Sequence, residues 1–299
     1  MFLQQSISHK NPFWFYLLGS LVIILFTFFG QIPLTVVVLE NGVSNGSDPM
    51  ENIRALDKNL QLVLLLLPFV IGFLGLWLVV TKLHNRTLQS IATSRSSIDW
   101  KRVLFSFSGW GAATLTFVGI DYAIQPENFI WNFKAGPFAL LFLIGIILIP
   151  IQSSLEEYIF RGYLLQGFGG LFRNSWLPLI FTSIIFGSLH LFNPEVEKLG
   201  YWILVYYIGT GLFLGILTLM DQGIELALGF HAANNLITAL LVTSDWTAFQ
   251  TESVLIDTST PSLGAELFVT LLLLYPIFLW ACYKKYRWTD WKIKLINRF

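Results

Sequence analysis

An apolar run from Phe138 to Ile151 leads into Leu155-Glu156-Glu157-Tyr158-Ile159-Phe160-Arg161, two carboxylates and a guanidinium beside hydrocarbon. Ionisable side chains are costly to bury in a membrane segment unless partners share the charge, so they mark candidate functional sites. On a helix, Glu157 and Arg161 lie four apart on one face with the acid N-terminal to the base, the favourable order for an ion pair. Glu156 is rotated by roughly 100° from Glu157 and cannot share that pair equally, which leaves one carboxylate for chemistry. Further along, Phe186-Gly187-Ser188-Leu189-His190 sets His190 one helical turn beyond Phe186, and His231-Ala232-Ala233-Asn234-Asn235 sets His231 and Asn235 on a common face.

A carboxylate and a neutral imidazole can together deprotonate a water, while a second imidazole and an amide N–H can stabilise the oxyanion formed on an attacked carbonyl. Glu156, His190, His231 and Asn235 thus have the makings of hydrolytic acyl transfer, with Glu157 and Arg161 as a supporting pair. Glu156, His190 and His231 also match the composition of a zinc site with an open position, although the helical His-Glu-x-x-His spacing is absent. Blander readings are a helix-end ion cluster at the membrane surface, histidines satisfied by neighbouring helices, or a Glu156–His190 proton relay in a transporter. The relay needs polar residues that continue to the outer face, and in the spans concerned they largely stop.

Helices must hold these groups. Of 299 residues, 55% are hydrophobic and only 12% charged, far from a soluble composition. The expected fold is all-α, a polytopic membrane bundle. Eight runs approach the roughly 20 apolar residues that cross a bilayer: 13–38, 60–81, 103–124, 137–167, 176–192, 201–220, 223–243 and 264–283. Counted at about 1.5 Å per residue, the depths of His190, His231, Asn235 and Glu156 converge if the fourth helix continues past Glu156. Such a helix is overlong. It is expected to tilt or kink near Pro150, or to begin later than Pro137, and to stop at Gly167, Gly169 and Gly170. The chain divides into N-terminal helices (1–136), a motif-bearing core (137–245), and an outer loop, last helix and basic tail (246–299).

Sorting the basic residues by loop, with Arg161 counted among the inner ones, leaves only Arg54, Lys58, Lys134 and Lys198 outside. That asymmetry is expected for eight spans with both termini cytoplasmic. Lys+Arg and Asp+Glu are 18 each, which gives no reason for a nucleic-acid partner. The basic loop 82–102 is expected to touch anionic headgroups. The outer loop 40–59, with Asn41-Gly42 and Asn45-Gly46-Ser47, reads as turns, and His9 and His84 as surface histidines. Cys282, the single cysteine, excludes an intrachain disulfide and reads as a small apolar residue in the last helix. Pro12 to Leu39 is too long for a signal-peptide core and lacks a small-residue cleavage site, so the first span is expected to be retained.

Taken together, Glu-Glu-x-x-x-Arg at Glu156, Glu157 and Arg161, Phe-x-x-x-His at Phe186 and His190, and His-x-x-x-Asn at His231 and Asn235 resemble the three motifs of the CPBP family. These are intramembrane CAAX-type proteases and bacteriocin-processing enzymes, often described as metalloproteases. The match covers roughly residues 137–245, and the order and spacing of all three motifs make it specific. The resemblance implies that Glu156 and His190 activate water, that Glu157 and Arg161 support and orient the site, and that His231 and Asn235 form the oxyanion hole. It also implies a cavity reached from the cytoplasmic side and a peptide or membrane-associated protein substrate, and it leaves open whether a divalent metal such as zinc takes part. The expectation is an intramembrane endopeptidase in a bacterial cell (inner) membrane. The alternative is a non-catalytic protein of bacteriocin self-immunity or peptide-binding type.

Overall fold

A computed structural model describes residues 2–5, 11–40 and 49–298; His9 and the turns at Asn41-Gly42 and Asn45-Gly46-Ser47 lie outside the described residues. All eight apolar runs are helical: α1 (Phe13–Glu40), α2 (Lys58–Leu83), α3 (Trp100–Ile124), α4 (Ala135–Phe172), α5 (Trp176–Ser188), α6 (Ile203–Asp221), α7 (Glu225–Leu241) and α8 (Leu267–Tyr286). Among the described residues, six are long and apolar enough to cross a membrane, while α5 has 13 residues and α7 has 17. The two short helices are those of the histidine motifs. At about 1.5 Å per residue α5 rises only ~20 Å, less than a hydrocarbon core. Every residue of α7 from Glu225 to Ala233 is buried, so protein rather than lipid sets its length.

α4 lies between α2 and α7; α7 also packs on α3 and α6, α1 on α2, and α5 on α6. Leu62 and Leu66 of α2, Leu141 and Ile149 of α4, and Leu236 and Ala239 of α7 share one core. Trp110, Phe213, Phe230 and Phe278, from α3, α6, α7 and α8, share another, which also encloses Cys282. The cores therefore run across positions 136 and 245. At the perimeter, Leu17, Leu21, Phe28 and Phe29 of α1 are exposed, as suits a surface whose solvent is lipid.

α4 differs from the sequence expectation at its two ends. It begins at Ala135 rather than later than Pro137 and passes Gly167, Gly169 and Gly170 to end at Phe172, with Arg173 in the left-handed region at φ 49°, and Pro150 lies inside it. A proline inside a membrane helix is tolerated where neighbours re-satisfy the freed carbonyl. The departure from α geometry comes later, as a π-helical stretch over Tyr158–Leu164 directly after the two glutamates. A small sheet was also not legible: β1 (Phe129–Trp131), β2 (Val242–Thr243) and β3 (Leu255–Asp257) pair in the order β1-β3-β2. Strands of two or three residues are too short to show an alternating pattern.

The loop between α2 and α3 turns its charges inward. Arg95 pairs with Asp221 and Glu225 at 3.1 Å each, and Arg102 pairs with Asp99 and Asp221. Arg86 is buried and donates to Gln166 and Ser90. His84 is no surface histidine: it is 4% exposed, with Nε2 2.8 Å from the Tyr163 hydroxyl. Burial first, and then the Arg86 charge, push its imidazole down to about 4, so the ring stays neutral at physiological pH. The loop lies beneath helix ends that carry buried acids, and these acids pair with its arginines, while Lys82 and Lys101 stay exposed.

Two close approaches fix the helices that carry the histidines. A Cβ on Gly187 would stand 2.4 Å from Ile208 Cγ1, and one on Gly229 would stand 2.1 Å from the Val103 carbonyl oxygen. Small residues at such crossings let membrane helices pack on backbone. Gly229→Ala is expected to lower the thermal midpoint in detergent, since overpacking costs about 1–3 kcal/mol, more than the gain in helix propensity. Gly136→Ala, whose Cβ would meet nothing within 4 Å, should leave the midpoint unchanged.

Candidate active site

Glu157 is fully buried, and its Oε1 accepts two bonds: from Arg161 Nη1 at 2.8 Å and from His231 Nδ1 at 2.7 Å. The Glu157–Arg161 pair read from the spacing is therefore present one turn along α4. The guanidinium is 2% exposed, and its carbon sits 4.2 Å above the Phe186 ring, where the π face attracts a desolvated cation. The Phe186 ring also lies 4.9 Å from the His190 ring and 6.3 Å from His231. One phenyl group thus touches the ion pair and both histidines, which gives the Phe-x-x-x-His motif a physical meaning.

Glu156 faces away from the ion pair, as the helical rotation requires. Its side chain is 16% exposed, and Oε2 stands 3.7 Å from His231 Nε2, longer than a hydrogen bond. Oε1 accepts from Gln152 Nε2 at 2.5 Å. His231 therefore stands between the two glutamates. With Nδ1–H donating to Glu157, Nε2 is the ring atom directed toward Glu156.

Asn235 lies one turn beyond His231 on the same face of α7. Its amide donates to Gln152 Oε1 at 3.0 Å, which leaves a second N–H on the same nitrogen. Asn235 Oδ1 accepts from Asn234, whose own oxygen accepts from the Trp110 indole.

His190 does not sit within its helix. α5 ends at Ser188 and His190 occupies the following turn, its backbone N–H bonded to the Gly187 carbonyl and its Nδ1 donating to the Phe186 carbonyl at 2.9 Å. The ring thus satisfies a carbonyl that the helix end leaves free, and the tautomer leaves the Nε2 lone pair open. Tyr207 of α6 stacks on it at 4.2 Å between centroids and 21° between planes. Among the described residues His190 reaches the rest of the cluster through Phe186, without a hydrogen bond to Glu156.

Among the described residues no group of three His, Cys, Asp or Glu side chains is placed to hold a metal ion; His231 Nδ1 is bonded to Glu157, and its Nε2 faces Glu156.

Sequence reasoning missed Gln152, Asn234, Trp110 and Tyr207. Gln152 had a signal: it stands four residues before Glu156, on the same face of an apolar helix. The others come together only through packing of α3, α6 and α7.

The family model described as type II CAAX prenyl endopeptidase Rce1-like matches residues 135–237, a span that includes all seven motif residues from Glu156 to Asn235. The uncharacterized protein YyaK of Bacillus subtilis (strain 168) is 31% identical over 245 residues, which cover 80% of this chain and 81% of that protein. No solved structure matches. With the family match framing the polar cluster and the relative aligned over about four fifths of both chains, the protein is an integral membrane member of the Rce1-like, type II CAAX prenyl endopeptidase family.

Proposed function

We propose that the protein is an intramembrane endopeptidase that hydrolyses a peptide bond with water activated by Glu156. The observation that carries this reading is the Glu156–His231–Glu157–Arg161 array, in which one carboxylate stays free of the buried ion pair and faces an imidazole nitrogen at 3.7 Å. A group of this kind is suited to general-base work. The Glu156 carboxylate takes a proton from the water as the water oxygen attacks the scissile carbonyl carbon. The carbonyl π pair moves to the oxygen, and the second N–H of Asn235 donates to the oxyanion. Collapse breaks the C–N bond, and Glu156 returns its proton to the leaving nitrogen. His190 Nε2 offers the water a second acceptor and fixes its orientation.

The substrate is a peptide or membrane-associated protein. The chain sits in a bacterial cell (inner) membrane with both termini cytoplasmic, a reading supported by the loop-by-loop asymmetry of Lys and Arg and by the bacterial relative. The route proposed is metal-free, with the Glu156 carboxylate itself as the base, while Glu157 is held by Arg161 and by His231 Nδ1.

Three outcomes test this. With a membrane-tethered peptide and purified protein, Glu156→Gln and His190→Ala should each lower turnover by at least two orders of magnitude while folded yield holds; undiminished cleavage in both variants removes the mechanism. Arg161→Ala should lower folded yield as well as activity, because a buried charge stripped of its partner costs about 3–5 kcal/mol; a thermal midpoint equal to wild type would contradict it. Treatment with a metal chelator should leave cleavage, followed by mass spectrometry, unchanged; loss that divalent metal restores would overturn the metal-free route.

A further inference from the structure

Four side chains outside the ion pair form a line of hydrogen bonds that ends on Glu156. The Trp110 indole donates to Asn234 Oδ1 at 3.0 Å, Asn234 Nδ2 to Asn235 Oδ1 at 3.1 Å, Asn235 Nδ2 to Gln152 Oε1 at 3.0 Å, and Gln152 Nε2 to Glu156 Oε1 at 2.5 Å. An amide can usually be turned end for end, but the first member cannot, since indole N–H donates and never accepts. Asn234 must therefore offer its oxygen to Trp110 and its nitrogen forward, and each later amide inherits that orientation. The donor end of Gln152 is fixed by a tryptophan three links away.

Both ends are anchored. Trp110 is buried, 4.2 Å from the Phe230 ring and 5.9 Å from Phe278. Gln152 is 4% exposed on α4. Hydrogen bonds in such a line polarise one another, and the bond to a carboxylate is the strongest of them. Occupying Oε1 leaves Oε2 as the atom that faces His231 Nε2.

We propose that Gln152 is a positioning residue for Glu156, its amide oriented from Trp110 through Asn234 and Asn235, so that Glu156 is held in one rotamer with Oε2 toward His231. The proposal rests on Glu156 as the base. It gives Gln152 no contact with substrate, and it requires the four members to act as one unit.

The test uses full-length protein in lipid nanodiscs and two readouts. In the first, Gln152→Met, which keeps volume and removes the amide, should lower kcat by about 10–100-fold with KM within twofold, as expected when a catalytic group is misplaced by about an ångström. Gln152→Glu, which keeps the shape and the acceptor for Asn235 but loses the donor, should do the same. Trp110→Phe should lower kcat less, and the Trp110→Phe, Gln152→Met double variant should be no slower than Gln152→Met alone, since both cut one line. A merely structural role predicts instead a reduced fraction of folded protein with unchanged kcat per folded molecule, and that result overturns the proposal.

The second readout needs no catalysis. With ¹⁵N-labelled glutamine, the Gln152 side-chain amide signal, identified by its loss in Gln152→Met, should shift in both Glu156→Ala and Trp110→Phe; a signal indifferent to both variants overturns the proposal. If Glu156→Gln retains wild-type turnover, the endopeptidase reading fails, and the amide signal still decides whether the line exists.

Discussion

A carboxylate removed from water on every side is the constraint from which the rest follows. Glu157 has no exposed surface, and leaving such a charge uncompensated would cost more than most single contacts return. Arg161 answers from the next turn of α4 and His231 from α7, both on the same oxygen. Because those two donors come from different helices, satisfying one charge also sets how α4 and α7 face each other. Phe186 closes the arrangement by offering a π surface to the guanidinium, which draws α5 to the same point. Three helices are thus registered by one buried ion pair.

Helix geometry turns that registration into a site. Glu156 and Glu157 are adjacent in sequence but point in different directions, so the buried pair and the free carboxylate come from one short segment with opposite fates. The π stretch over Tyr158–Leu164 follows at once, a kind of irregularity that tends to occur at functional positions. α5 stops short of a full membrane crossing, and its end sets His190 beside Phe186 and Tyr207. A longer helix would have carried the chain past that point. The glycines at 187 and 229 let the neighbouring helices approach closely enough for these contacts.

Polar groups elsewhere obey the same accounting. At the α2–α3 loop, buried Asp221 and Glu225 draw in Arg95 and Arg102, and His84 is kept neutral beside Tyr163. Within the bundle, the line from Trp110 to Glu156 satisfies three carboxamides and one indole with no charge but the last. A low-dielectric interior makes each unpaired donor expensive, so polar residues gather into continuous networks rather than standing alone.

The sequence by itself determined what depends on neighbours along the chain. Apolar run length located all eight helices, and a spacing of four joined Glu157 to Arg161, because helical periodicity converts sequence distance into direction. The three motifs in order named the family that the comparison with relatives then showed. Gln152 was equally legible by its spacing from Glu156, and its chemistry went unread. What only the tertiary structure decided depends on contacts between helices. His231 bonds Glu157 and faces Glu156, although 74 residues separate it from its partner. His84 is buried although its sequence surroundings look like a surface loop, and α5 ends before His190 although the apolar run continues to Phe192. Pairing across such distances is set by how whole helices pack, and residue order along one helix carries no record of which face of another it will meet.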